Sequence, residues 1–375
     1  MTCSKCQRVA KFHSYQQRRV VTVHGEVKVQ RAYYYCQRCH RSYCPYDDVL
    51  GLGDGISPGV RPLVCLAGTL VPFEDAAEDV LRRFANVRLS ASTVLRCTEA
   101  AGERLQKQQR QGRMVEPTQP EPGWTAPRNP GQPAAYVGLD AFSVPMQGPE
   151  GAQAEHRMLY TALLYTPDKR HTRYVVDFEL DAVARQVRSL AIACGIPQVD
   201  DLIAVTDGGN GLEEALDRNL ADNLQSILDW YHAAEHVHGF AAVWHAKDAE
   251  AAQAWSHEAK TILYEQGGAA LLTNLQALQL PKGTRTEVRE ELRKLIGYFE
   301  NNRHRTDYPT YRANGWDIGS GPTEAGCKII GERLKGSGMR WVEHGAASVG
   351  VLRALYVSSP KLWDGYWEQP HRAAA

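Results

Sequence analysis

The stretch Trp316-Asp-Ile-Gly-Ser-Gly-Pro-Thr-Glu-Ala-Gly-Cys-Lys-Ile-Ile-Gly-Glu-Arg-Leu-Lys335, continued by Gly336-Ser-Gly-Met-Arg-Trp341, decides how the rest of the chain is read. Ser320 or Gly321 is placed to cap a helix, and Pro322 fits its first turn, where a missing N–H is no loss. Glu324 then falls early on that helix. Helical spacing predicts Lys328, Gly331 and Lys335 on the face of Glu324, with Ile329, Ile330 and Leu334 turned elsewhere onto a core. Arg333 and Arg340 add cations around the same block. An acid among cations on one helix is commonly a solvated surface pair, so the weight given to Glu324 comes from residues upstream.

Two short apolar stretches each end in an aspartate. Ala135-Tyr-Val-Gly-Leu-Asp140-Ala-Phe-Ser-Val144 reads as a buried strand, and Leu202-Ile-Ala-Val-Thr-Asp207 reads as a second that breaks into the turn Gly208-Gly-Asn-Gly211. An aspartate before glycine is often only a turn residue. Asp140, inside a run of Val, Leu and Phe, must be paired or metal-bound to be tolerated. Asp140, Asp207 and Glu324 together are hard oxygen ligands suited to Mg²⁺ or Mn²⁺ in a two-ion phosphoryl-transfer site. A further stretch, Leu224 to Asp229, reads as a strand whose end carries Asp229 and His232. These two residues are either supporting groups beside the metals or an ordinary helix cap and a buried histidine.

The amino end has a different chemistry. Cys3-x-x-Cys6 and Cys36-x-x-Cys39 flank an alternating segment, Arg19 to Gln30, that turns near His24-Gly25. Two thiolate pairs around a hairpin are a zinc-ribbon layout, and so small a module needs a staple of that kind to fold. Cys44 is then a non-ligand thiol, or a substitute for Cys39. Residues 1 to 45 hold nine Lys and Arg against Glu26 alone, a net +8 in a chain whose total formal charge is zero. That asymmetry points to a polyanionic partner. Nine cysteines, partly in C-x-x-C pairs, fit a reducing compartment and metal binding. With no bilayer-length apolar run and no secretory start, a cytoplasmic, nucleoid-associated protein that does not engage the membrane is expected.

The pattern divides the 375 residues into a zinc ribbon at 1–50, a helical module at 55–111, a linker at 112–133, a first core segment at 134–236, an all-helical insertion at 237–315, a final core segment at 316–357 and a fraying tail at 358–375. In the helical module, Phe73 to Phe84 is amphipathic and Ser90 caps a second helix, as in a helix-turn-helix. Arg96 is its nearest candidate for a base or phosphate contact. The prolines between 112 and 133 predict a semi-stiff connection. Strands at 135–144, 158–165 and 172–178, a helix at 181–194 and the strand of Asp207 follow in that order. The 92 residues from His232 to Glu324 are rich in helix formers, which predicts the insertion. Trp244 and Trp255 are read as its core, and Arg303, His304 and Arg305 as a basic run just ahead of the catalytic helix.

With Asp229-Trp-Tyr-His232 and the Ser-Gly-Pro-Thr-Glu…Arg-Leu-Lys…Gly-Met-Arg-Trp block, the chain resembles bacterial insertion-sequence transposases of the Kra type, DDE enzymes with a ribonuclease-H-like core. The resemblance covers most of the chain, and its specific part is Gly319 to Trp341. It implies a mixed α/β multidomain protein in which Asp140, Asp207 and Glu324 form the catalytic triad and hold two Mg²⁺ or Mn²⁺ ions. Zinc would be structural only. The implied partner is double-stranded DNA, at the element ends and at the target, engaged by a homo-oligomer; Lys328, Lys335, Arg333, Arg340 and Arg96 are the expected contacts. Full-length relatives usually carry residues ahead of the ribbon, so a copy shortened at its amino end is a further expectation to weigh. Two other readings share these features: a domesticated DNA-binding protein without catalysis, and a ribonuclease-H-like nuclease.

Overall fold

The computed structural model describes residues 1–368 apart from 4, 53, 120–121, 125–130, 197–201, 210, 221–223 and 359. The chain forms two compact units, Met1–Leu105 and Gln106–Ala375.

The first unit opens with an antiparallel hairpin, β1 (Lys11–Thr22) and β2 (Gly25–Cys36), with the short β3 (Arg41–Tyr43) paired to β2. The hairpin is much longer than the Arg19 to Gln30 segment expected from alternation. Its pairing runs on to Lys11↔Tyr35 and is interrupted by a bulge between Phe12 and Ser14, which hides the period of two. After α1 (Pro45–Val49) come α2 (Arg61–Leu70), α3 (Phe73–Asp75) running directly into π-helical Ala76–Phe84, and α4 (Ala91–Arg110). Ile56, Val60, Val64, Leu81, Val87 and Val94 make their shared core. Ser90 starts α4 as expected, its Oγ accepting from the Thr93 amide at 3.3 Å.

The second unit is built on a five-stranded sheet, in the order β6 (Thr172–Asp177), β5 (Arg157–Tyr165), β4 (Ala135–Val144), β7 (Leu202–Thr206) and β8 (Gln225–Leu228). β6, β5 and β4 are antiparallel, whereas β4, β7 and β8 are parallel. Residues 135–139 are all buried because both faces of β4 are covered, which is why the strand reads as a continuous apolar run. One face packs on α5 (Leu180–Ala193) and α6 (Leu212–Leu220) through Val183, Val187, Leu190, Ala215 and Leu216. Tyr136, Ile203 and Val205 on the other face join a core with α7 (Trp230–Trp244), α8 (Ala249–Gln266), α9 (Gly268–Ala277), α10 (Thr286–Asn301) and α11 (Tyr308–Ala313). Trp244 and Trp255 are half-buried and pack against that core, their rings 5.6 Å apart. The chain closes with α12 (Gly321–Leu334), α13 (Glu343–Ser358) and α14 (Pro360–Glu368).

Three expectations are corrected. The helical region begins at Trp230 rather than Val237, because Asp229 caps α7 by accepting from the Tyr231 and His232 amides. The proline-rich 112–133 segment is no free linker where it is described: Met114 packs on the core and Trp124, only 8% exposed, is part of it. Proline restricts the backbone but does nothing to keep an indole in water. The tail forms α14, with Leu362, Trp363 and Tyr366 buried; 369–375 lie outside the described residues.

Candidate active site

The parallel pairing sets the acids side by side. Gly138 is paired with Val205 and Thr206 with Leu228. Carrying those registers forward puts Asp140, Asp207 and Asp229 abreast at the carboxyl ends of three neighbouring strands. Because side chains alternate along a strand, Asp140 and Asp207 also share a face with Gly138 and Val205. That is the face on which α12 lies: a Cβ on Gly138 would sit 1.9 Å from Thr323 Oγ1. Only glycine lets the helix approach β4 so closely.

A clamp on the first turn of α12 holds Glu324 beside Asp229 and His232; among the described residues, Asp140 and Asp207 are not gathered with Glu324 into one cluster of ligand atoms. The Asp229 side chain is completely buried. Its Oδ1 accepts from the Tyr231 amide at 2.6 Å and the His232 amide at 3.2 Å. Its Oδ2 accepts from the Ser320 amide at 2.7 Å and from the Ser320 hydroxyl. The same hydroxyl is 3.4 Å from Glu324 Oε1. Ser320 therefore heads α12 without bonding the helix's own amides, its hydroxyl donating to Asp229 instead. Asp229, His232 and Glu324 have ligand atoms within 4.8 Å of one another. With four hydrogen bonds already on Asp229, its carboxylate acts as a strut between β8, α7 and α12. Asp140, Asp207, Glu324 and the His232 ring retain oxygen or nitrogen atoms to offer a cation.

Electrostatics agree with a cation site. Burial raises the Asp140 carboxyl above the ordinary aspartate range, and the charge of Asp207 pushes in the same direction, against bonds from the Ala141 amide and the Cys327 thiol. Asp140 Oδ1 accepts the Ala141 amide at 2.6 Å, and Asp207 Oδ1 accepts the Gly209 amide at 2.8 Å. A divalent ion would relieve the buried Asp140 carboxylate of its desolvation and of the neighbouring charge of Asp207, and hard oxygen donors suit Mg²⁺ or Mn²⁺.

Several neighbours were not legible as site residues. Cys327, buried beneath α12, reaches both Asp140 and Thr161, and burial pushes its thiol pKa up. Tyr298 of α10 places its hydroxyl beside the turn after Asp207, 3.0 Å from where a Gly208 Cβ would stand, with its ring centroid 4.0 Å from that of His236. Arg305, the last of the basic run, is buried. It donates to Thr206 Oγ1 at 2.9 Å and pairs with Glu213 at 3.2 Å, bracing the strand end that carries Asp207. A histidine or tyrosine inside an amphipathic helix carries no mark in the sequence that it will reach a site formed by strands far away.

The expected cations separate into two groups. Lys328 and Lys335 are exposed with Glu324 on α12, whereas Gly331, expected on that face, is buried against Phe142. Ile329, expected in the core, is exposed; Thr323, Gly326, Cys327 and Ile330 make the packed face, because the helix meets the sheet through small residues. Arg333 is corrected from a DNA contact to a packing residue. It is 3% exposed, its guanidinium lies 5.2 Å from the Trp341 ring centroid, and burial lowers its pKa to about 10. Arg340 is exposed and donates to the Gly151 carbonyl at 3.1 Å. Arg96 is exposed on α4.

In the first unit the Sγ atoms of Cys3, Cys6, Cys36 and Cys39 gather within 4.8 Å of one another, compatible with a zinc ribbon. Backbone amides of Cys6 and Lys5 hold Cys3 down to about 7, while the bond with Cys6 pushes Cys39 up to about 12. A tetrahedral thiophilic cation would take all four as thiolates and offset the charge they would otherwise crowd together. Cys44 stands outside the cluster, at the head of α1.

Among known proteins, the chain is similar over residues 5–175 to an uncharacterised protein family, UPF0236. No curated protein matches it. The matched region takes in the ribbon from residue 5, leaving out Cys3, with the helices of the first unit and the strand of Asp140, and ends before Asp207 and Glu324.

Proposed function

We propose that the protein is a metal-dependent DNA transposase of the DDE type, with a ribonuclease-H-like core that takes in the five-stranded sheet, an all-helical insertion between Asp229 and Glu324, and an amino-terminal module that binds DNA. One observation carries this reading. Asp140, Asp207 and Asp229 stand abreast at the ends of three neighbouring strands, and the Asp229–Ser320 clamp, joining residues 91 apart, holds Glu324 beside Asp229 and His232. In this reading Asp140, Asp207 and Glu324 hold two Mg²⁺ or Mn²⁺ ions, while Asp229 fixes the geometry and His232 contacts the ion shell or the DNA. When bound, the ions activate a water or 3′-hydroxyl and stabilise the leaving oxygen. Cys327 steadies Asp140, and Lys328 and Lys335 on the exposed face of α12 hold the cleaved strand by its phosphates. Zinc on the four cysteines supplies the ribbon's fold.

The test is direct. Purified protein, Mg²⁺ and labelled element-end duplex should give nicking at the end, followed by joining of the exposed 3′-OH to target DNA. Nicking without joining would favour a nuclease. Binding with neither activity would leave a DNA-binding protein.

A further inference from the structure

The bulge in β1 decides what the hairpin presents to solvent. Without it, Phe12 and Tyr15 would point to opposite faces. The register shift between Phe12 and Ser14 sets Phe12 opposite Tyr34 and Tyr15 opposite Ala32, so both rings fall on one face and meet at 5.2 Å. The same face continues through Gln17 opposite Gln30 and Arg19 opposite Lys28. Phe12, Tyr15, Gln17, Gln30, Arg19 and Lys28 are exposed, Phe12 51% and Tyr15 66% accessible, while Ala32 and Tyr34 are half-buried. The reverse face is the packed one. Val20 and Arg31 are buried there, and Arg18 and Arg31 are both tied to Asp47. Arg19 shares its face with Glu26 at 3.5 Å, an open pair that leaves the arginine side chain 74% exposed.

We propose that this face of the β1–β2 hairpin is the surface that reads double-stranded DNA, lying in the major groove with Gln17 and Gln30 against base edges. The inference rests on the DNA-binding role given to the amino-terminal module and assigns it to a face. Three features favour a duplex over a protein partner. The first 45 residues carry +8, which complements a polyanion. A two-stranded ribbon fits a groove about 12 Å wide. A cross-strand pair of exposed amides, each able to donate and accept, suits the paired donor and acceptor of adenine better than an apolar docking site. Arg19 and Lys28 towards the turn would take phosphates or guanine, and Phe12 and Tyr15 the thymine methyls or sugar edges.

The experiment is selection from a random 30-bp duplex library (about that length) by the full, zinc-loaded chain. Gln17→Ala/Gln30→Ala should keep zinc content and melting temperature, since both side chains are exposed, yet bind the wild-type selected duplex about 10- to 100-fold more weakly and lose preference at one or two positions. Phe12→Ala/Tyr15→Ala should weaken binding as well. Unchanged affinity and preference in Gln17→Ala/Gln30→Ala overturns the proposal, and loss of preference in Arg96→Ala alone would move base reading to α4. If the wild type selects no duplex, and self-association is lost in Phe12→Ala/Tyr15→Ala, the face is a protein contact and the proposal is wrong. A wild type that selects a duplex through these glutamines but cuts nothing with Mg²⁺ upholds the face and removes the transposase reading.

Discussion

A carboxylate at position 140 is held against its own solvation, and its pKa is raised by burial and by Asp207. The sign of the consequence follows from linkage. A group that binds its proton more tightly when folded stabilises the fold at low pH and loses that contribution as pH rises through the interval between its unfolded and folded values. The ion-free protein should therefore lose stability as pH climbs from the ordinary aspartate range through the raised value of Asp140. Asp140→Asn should flatten that part of the profile and raise the neutral-pH melting temperature, while abolishing Mg²⁺-dependent cleavage. Thermal melts at stepped pH in EDTA check it; an unchanged profile would mean that Asp140 is not strained. Ser320 offers the complementary case. Ser320→Ala removes a buried hydroxyl from Asp229 and should cost about 1–3 kcal/mol in denaturant unfolding, with cleavage falling and DNA binding kept. The positions of Asp140 on β4, of Asp207 just past the end of β7 and of Glu324 early in α12 were legible in the sequence because strand and helix-start patterns are local. The Ser320–Asp229 clamp was not, since it joins residues 91 apart and the serine was already explained as a helix cap.

At the scale of elements, the close packing of α12 on β4 and β5 is set by small residues. Gly138 leaves room for Thr323, and Gly326 faces the Tyr174 ring, 2.5 Å from where its Cβ would be. Gly138→Ala should force α12 outward and destabilise the second unit by roughly 1–3 kcal/mol, with cleavage reduced because Glu324 moves with the helix. Melting with and without Mg²⁺, alongside cleavage rates, measures both effects; a fully active, equally stable variant would show that the helix position is not critical. The strands of the sheet were readable because apolar runs between turn residues leave a pattern. The face of α12 was misread in part because helical spacing gives periodicity without direction. Ile329 looks like core and is exposed, and Gly331 looks like surface and is buried. The π-helical run from Ala76 to Phe84 likewise has no signature in a sequence that reads simply as an amphipathic helix.

For the molecule as a whole, the proposed reading gives two kinds of metal chemistry to two units. The thiol cluster belongs to the first, Met1–Leu105, and the carboxylates to the second, Gln106–Ala375. Cys36→Ser should remove zinc from the purified protein and unfold the ribbon, because metal binding there is largely folding free energy. Metal analysis with hydrogen exchange on 1–45 would register it, and natively purified protein with no zinc would contradict the assignment. The cysteine pairs were plain from spacing alone. The buried Trp124 and the α14 helix were not, because proline content and nearness to the carboxyl end say little about what an indole or a tyrosine will pack against.

The central claim is that Glu324 completes a carboxylate site that cuts DNA with divalent metal. The measurement is cleavage and binding of labelled element-end duplex across Mg²⁺ concentrations by the wild type and by Glu324→Gln. The account predicts Mg²⁺-dependent nicking by the wild type, and in the variant a collapse of nicking with end binding held or tightened, since a charge that repels phosphate has been removed. Nicking by Glu324→Gln at the wild-type rate and with the wild-type Mg²⁺ dependence would contradict it.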